Sequence, residues 1–161
     1  MKDILKKCCG SDRWVKEMMR NQRFETTEDI MKDAERIWYS LEKSDWLEAF
    51  DHHPKIGDMN SLKEKFSVSK DLSVDEQAGA LSATDETLSE LSHYNQLYEK
   101  KFGFIFIVFA TGKSAEEMLG IIKERINNDP ETELRTAAEE QFKITKLRLK
   151  NYYESDHNTR T

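Results

Sequence analysis

The sequence is short of the residues that interrupt a chain. Its 161 residues include two prolines and six glycines, so helical periodicity runs on with few breaks. Cysteine is equally scarce. Cys8 and Cys9 are the only two and they are adjacent, a spacing that rarely makes an unstrained bridge. A disulfide framework is excluded and a reducing, cytoplasmic compartment is expected. No apolar run approaches the ~20 residues of a membrane helix, so no membrane contact is expected. A surplus of positive charge is missing too: 25 Lys and Arg stand against 31 Asp and Glu, a net charge of -6. With no basic stripe there is no nucleic-acid footprint, and an anionic ligand would need local cations to offset the overall field. The opening MKDILKKCCG lacks the apolar centre of a signal peptide, and NTRT at the other end is not a peroxisomal address. No internal repeat is visible.

What is present is helical. The length suits one domain able to bury a core without disulfides or metal. Asp12 can cap a helix carrying Trp14, Val15, Met18 and Met19, and TTEDIMKDAERIWYSL sets Ile30, Ala34, Ile37, Trp38 and Leu41 at helical spacing. SDWLEAFDH is a short helix that Pro54 must end, because the residue before a proline is pushed out of helical geometry. Residues 58–72 form a polar loop with room for one helical turn, and one or two helices follow up to Gly103. Ser114 and Glu117 make a capping box. Asp129 and Pro130 supply an N-cap and a first-turn proline for a last helix over 130–152. FGFIFIVFA, residues 102–110, taken alone is a buried strand. No second β run could pair with it, and an unpaired strand leaves buried backbone groups unsatisfied, so a fully buried helix is expected there. The whole is an all-α, single-domain compact bundle of about seven to nine helices. It covers residues 1–153, and the polar tail 154–161 is expected to fray.

Three places could carry chemistry. In AFDHHPKIGD, His53 sits just past a helix end and is locked by Pro54. A helix C-terminus favours the protonated imidazole, which would keep its charge near the physiological switching range. Two readings are open: an acid/base group presented at an element edge, or a plain helix cap beside an ordinary surface His52. In SVDEQ, Ser73 and Glu76 have capping-box spacing, and the same helix start, with Gln77 beside it, could bind a polar or anionic ligand. On the last helix, Leu134, Ala137, Ala138, Gln141, Ile144 and Thr145 share a face that includes Arg148. An inward arginine needs an acceptor; the alternative is a side chain snorkelling near the helix end. Two trails close. ATGKS lacks the upstream glycine of a phosphate loop, since Ile107 stands there. His52, His53 and Asp58 have no metal-ligand spacing, so no metal is expected.

WLEAFDHHPKIGD, SVDEQAG, NQLYEKKFGFIFIVFATGKSAEEML and ITKLRL, with CCGSDRWVKEMM near the start, resemble the OHCU decarboxylase family over residues 8–150. OHCU is 2-oxo-4-hydroxy-4-carboxy-5-ureidoimidazoline, an intermediate of urate breakdown. The resemblance implies an all-helical, cofactor-free, usually homodimeric enzyme that converts this small-molecule substrate to (S)-allantoin and carbon dioxide. It implies His53 as the general acid/base, with Glu76 and Arg148 as its catalytic companions. It places Pro54, Ser73, Glu76, Gln77 and Arg148 against the substrate, together with the main chain of Phe106, Ile107, Val108, Phe109 and Ala110. His52 lies outside the motif. Two positions depart from the common pattern: Leu72 stands where many members have tryptophan, and Phe109 where many have a small residue or cysteine. The readings to be set against this one are a non-catalytic helical interaction module and a metal-dependent hydrolase of the same pathway.

Overall fold

In the computed structural model, residues 1–20, 26–53 and 85–159 are described, 156–159 by backbone alone. Seven helices and no strand occur among them: α1 Lys2–Cys8, α2 Asp12–Arg20, α3 Thr27–Ser40, α4 Lys43–Asp51, α5 Asp85–Phe102, α6 Ala115–Arg125 and α7 Pro130–Thr159. The all-α expectation holds. The backbone forms two compact units, Met1–His53 with Ala138–Thr161, and Pro54–Ala137.

In the first unit, helix starts follow from short polar side chains. Ser11, not Asp12, caps α2: its Oγ accepts from the Trp14 N–H at 3.2 Å. Asp12 is instead the first helical residue, and its N–H donates to Glu48 Oε1 at 2.7 Å. Thr26 caps α3 by accepting from the Asp29 N–H at 3.1 Å. Most of the faces forecast from spacing are buried, Trp14, Val15 and Met18 on α2, and Ile30, Ala34, Ile37 and Trp38 on α3, while Met19 and Leu41 are half-buried. Burying indoles requires partners for their N–H groups, and helix carbonyls provide them. Trp14 Nε1 donates to Ala34 O at 3.1 Å, Trp46 Nε1 to Trp38 O at 2.9 Å, and Trp38 Nε1 to Ala138 O at 2.9 Å. That last bond pins α3 to the part of α7 that carries Gln141 and Arg148. Helix α4 stops at Asp51 with His52 as its C-cap, as the following proline requires.

In the second unit, α6 starts at the forecast cap, Ser114 Oγ accepting from the Glu117 N–H at 3.1 Å. The start of α7 is also as forecast. Pro130 is its first residue, and Asp129 accepts from the Thr132 N–H at 3.2 Å and from its hydroxyl at 2.6 Å. These bonds hold the Asp129 carboxyl below its usual range. The helix runs to Thr159, beyond the forecast end at 152.

The segment after α5 is a correction. It is not a buried helix: α5 ends at Phe102, Gly103 turns away at φ +80, and residues 105–110 are neither helix nor strand. The dilemma of strand or helix assumed that only backbone could satisfy backbone. Here cations do so: Arg125 Nη1 donates to Ile107 O, and Lys113 Nζ to Phe109 O, each at 2.7 Å. Arg125 is itself buried and paired with Glu133, which is 0 % exposed, through Nε at 2.7 Å and Nη2 at 2.5 Å. The Tyr98 hydroxyl donates to the same carboxylate, and Asn128 Nδ2 reaches its other oxygen at 3.0 Å. Burial pushes the Tyr98 phenol well above its ordinary value. The guanidinium also lies 4.7 Å from the Phe106 ring centre.

Candidate functional site

A glycine decides where the end of α4 can sit. A Cβ on Gly10, between α1 and α2, would lie 2.3 Å from His52 Cγ and 2.5 Å from its Cβ. No side chain fits there, so the bare backbone lets the turn carrying both histidines close on the α1–α2 junction. His52 remains exposed, its Nδ1 3.1 Å from Glu48 O. The next residue is directed differently. His53 is half-buried, its N–H donates to Phe50 O at 3.2 Å, and its ring Nε2 bonds to Gln141 Oε1.

Gln141 is buried on α7, and its Nε2 donates to the buried Thr145 Oγ1 at 3.1 Å. With the amide so oriented, Oε1 accepts and the His53 proton sits on Nε2. Nδ1 has no hydrogen-bond partner among the described residues. The expected bias toward imidazolium is reversed. Burial lowers the His53 pKa from 6.5; the bond to Gln141 works against this, and the charges of Arg148 and His52 add to it. A helix terminus in water favours the charged ring only modestly, and desolvation outweighs it here.

Arg148 follows Thr145 on the same stripe of α7. It is exposed rather than buried, and its Nη1 donates to Lys7 O at 3.1 Å. His53 and Arg148 line one cavity of about 630 Å³, together with His52, Ala49, Gly10, Asp3, Lys6 and Lys7. Among the described residues three cations and one carboxylate surround it, supplying local positive field of the kind an anion would need in a chain of net charge -6. Cys8 and Cys9, just before Gly10, are free, buried thiols. Burial raises the Cys8 pKa and pushes that of Cys9 up to about 12.

Two of the three forecast catalytic residues thus come together on this cavity. Pro54, Ser73, Glu76 and Gln77, and the departure Leu72, lie outside the described residues. Phe106 to Ala110 belong to the second unit. Among the described residues no group of three His, Cys, Asp or Glu could hold a metal ion, and no helix is long and apolar enough to cross a membrane. Gly10, Lys6 and Lys7 gave no sequence signal. Gln141 did give one, as the amide on the small-residue face that also contains Arg148.

The OHCU decarboxylase family model matches residues 1–150. The Arabidopsis thaliana "Uric acid degradation bifunctional protein TTL" is 43% identical over 152 residues, covering 91% of this chain and 45% of its own length. The corresponding Bacillus sp. (strain TB-90) bifunctional protein is 30% identical over 92% of this chain and 29% of its own. The chain thus spans less than half the length of these curated relatives. A crystal structure of OHCU decarboxylase in the presence of (S)-allantoin superposes with a TM-score of 0.77 at 37% identity. That match covers 94% of this chain and 98% of the other.

Proposed function

The chain belongs to the OHCU decarboxylase family, and from that premise we propose that it converts OHCU to (S)-allantoin and carbon dioxide without a cofactor, His53 handling the protons. The observation that carries this reading is a half-buried imidazole, held at Nε2 by Gln141, on a cavity ringed by Arg148, Lys6 and Lys7. The bond between the ring carbon and the carboxylate breaks, and carbon dioxide leaves. The electron pair forms a carbon–carbon double bond while the neighbouring carbon–nitrogen double bond of the substrate's own ring opens onto its nitrogen, which serves as the sink and takes a proton from solvent. The enol that results must lose its hydroxyl proton and gain one on the adjacent carbon. A neutral His53 takes the first at Nδ1 and, as imidazolium, returns a proton to one face. Arg148 grips an anionic or carbonyl edge with its planar fork, and Glu76 orients the ring. Pro54, Ser73, Gln77 and the main chain of Phe106 to Ala110 complete the proposed substrate contacts. Homodimeric assembly and a cytoplasmic setting belong to the same reading, the second supported by the two free thiols.

The test generates OHCU enzymatically from urate, adds the protein, and follows carbon dioxide release and circular dichroism. Rapid growth of the (S)-allantoin signal is expected, unchanged by a chelator. Product forming only at the spontaneous rate, without optical activity, would return the chain to the interaction-module reading. Loss of activity with chelator would favour the metal-dependent one.

The acid side of the rate profile follows from the His53 environment. The working form is neutral and the folded pKa lies below 6.5. kcat/KM therefore falls on acidification through a midpoint below 6.5. A midpoint above 6.5 would contradict the buried, neutral ring.

Arg148→Lys keeps the charge but loses the fork. It should lower kcat or raise KM by an amount consistent with ~1.5–3 kcal/mol for a charged hydrogen bond. The fold should tolerate the change, because Arg148 is exposed. Steady-state kinetics decide: near-normal constants would make it a snorkelling residue.

A further inference from the structure

We propose that Gln141 is a positioning residue for this reaction, its side-chain oxygen fixing the His53 proton on Nε2 so that Nδ1 is the nitrogen left to act as base. The inference rests on the decarboxylase reading for its kinetic arm and on geometry alone for the tautomer. The amide is 1% exposed, and both of its ends are engaged. Its orientation is set from the far side. Thr145 Oγ1 accepts from the amide Nε2 at 3.1 Å, which turns the NH2 end away from the histidine. The oxygen then faces His53, and an amide oxygen accepts only. The chain of bonds His53–Gln141–Thr145 therefore leaves one neutral ring tautomer.

An amide does this without charge. A carboxylate at 141 would also accept from Nε2 but would hold the ring as imidazolium, occupying Nδ1 with a proton before substrate arrives. Among the described residues, the other charged or titratable groups near His53 are His52 on its own turn, Arg148 from α7, and Asp3, Lys6 and Lys7 from α1 around the same cavity. Burial disfavours the charged ring, the charges of Arg148 and His52 add to this, and Gln141 selects which neutral form the ring takes.

Two substitutions test this in the full chain. In Gln141→Glu the acid limb of kcat/KM should move up by ~1–3 pH units, the shift typical of an adjacent opposite charge, and the rate should recover above the new midpoint. In Gln141→Leu, a near-isosteric side chain without an acceptor, kcat should fall roughly 10-fold or more, toward the ~10²–10⁴ of full acid–base loss, with KM little changed. Imidazole ¹⁵N NMR of the resting protein reads the tautomer directly, whether or not the protein turns over. His53 should be Nε2–H in the parent and mixed or Nδ1–H in Gln141→Leu. A parent ring protonated at Nδ1, or an unmoved acid limb in Gln141→Glu, would overturn the assignment. If the parent fails to accelerate OHCU decay, the decarboxylase reading fails while the NMR result still decides the role of Gln141.

Discussion

His53→Ala should abolish most turnover while leaving a folded protein, with kcat down by ~10²–10⁴-fold, the usual contribution of a positioned acid/base group. Some stability goes with it. Gln141 Oε1 is buried and would lose its donor, and a buried polar atom left unpaired costs ~1–3 kcal/mol. Rates must therefore be compared well below the melting temperature, with circular dichroism checking the fold. His52→Ala is the matched control. His52 is adjacent and exposed, bonds only to a main-chain carbonyl among the described residues, and packs on Gly10. It should retain near-parental kinetics. Equal losses at the two positions would mean that the turn, rather than one ring, matters.

Glu133→Ala should have the largest effect on stability of any single change considered, ~3–5 kcal/mol, because removing one partner strands a buried charge. The carboxylate takes hydrogen bonds from Arg125, Tyr98 and Asn128. Without it Arg125 keeps, among the described residues, the Ile107 carbonyl, a 3.4 Å contact to the Tyr98 hydroxyl and the rings of Phe106 and Tyr98, none of them charged. Urea unfolding with an unchanged m-value measures the cost. Pairing Glu133→Leu with Arg125→Met removes both charges and should recover part of the loss, since apolar replacement of a whole buried pair is often nearly neutral. A cost below ~1 kcal/mol for Glu133→Ala would mean that the pair is effectively solvated.

That cluster also marks where the sequence stopped being legible. Helices, caps and buried faces followed from spacing and from a few polar residues: Ser114, Asp129 and Pro130 begin helices as forecast, and Ile30, Ala34, Ile37 and Trp38 face inward. Arg125 and Glu133 sit among charged neighbours on solvated-looking helices, and nothing local distinguishes them. Their burial depends on the Ile107 carbonyl they serve, a contact 18 residues upstream of Arg125. The failure to see them and the failure to place 105–110 are one error, because the irregular segment is possible only with that arginine beneath it. At the site, a proline and a helix face singled out His53 and Arg148, which line one cavity, although Arg148 is exposed rather than directed inward. The sign of the His53 shift was not legible, because burial cannot be weighed without knowing what covers the ring. Gly10 shows the same limit: its necessity comes from His52, 42 positions away in the chain.

Cys8 and Cys9 give the molecule a built-in chemical clock. Thiol reagents attack the thiolate, and both thiols are nearly inaccessible, with pKa values raised by burial. In the closed protein, alkylation must wait for the α1–α2 junction to open. When closing outpaces reaction, the labelling rate divided by that of a free thiol is the fraction of time the junction stands open. The junction includes the Lys7 carbonyl that holds Arg148 and the Gly10 backbone that receives His52. A mass-spectrometric time course on the unmodified chain would therefore report the opening of the wall of the cavity itself. Any ligand seated against Arg148 would slow that clock in proportion to its occupancy.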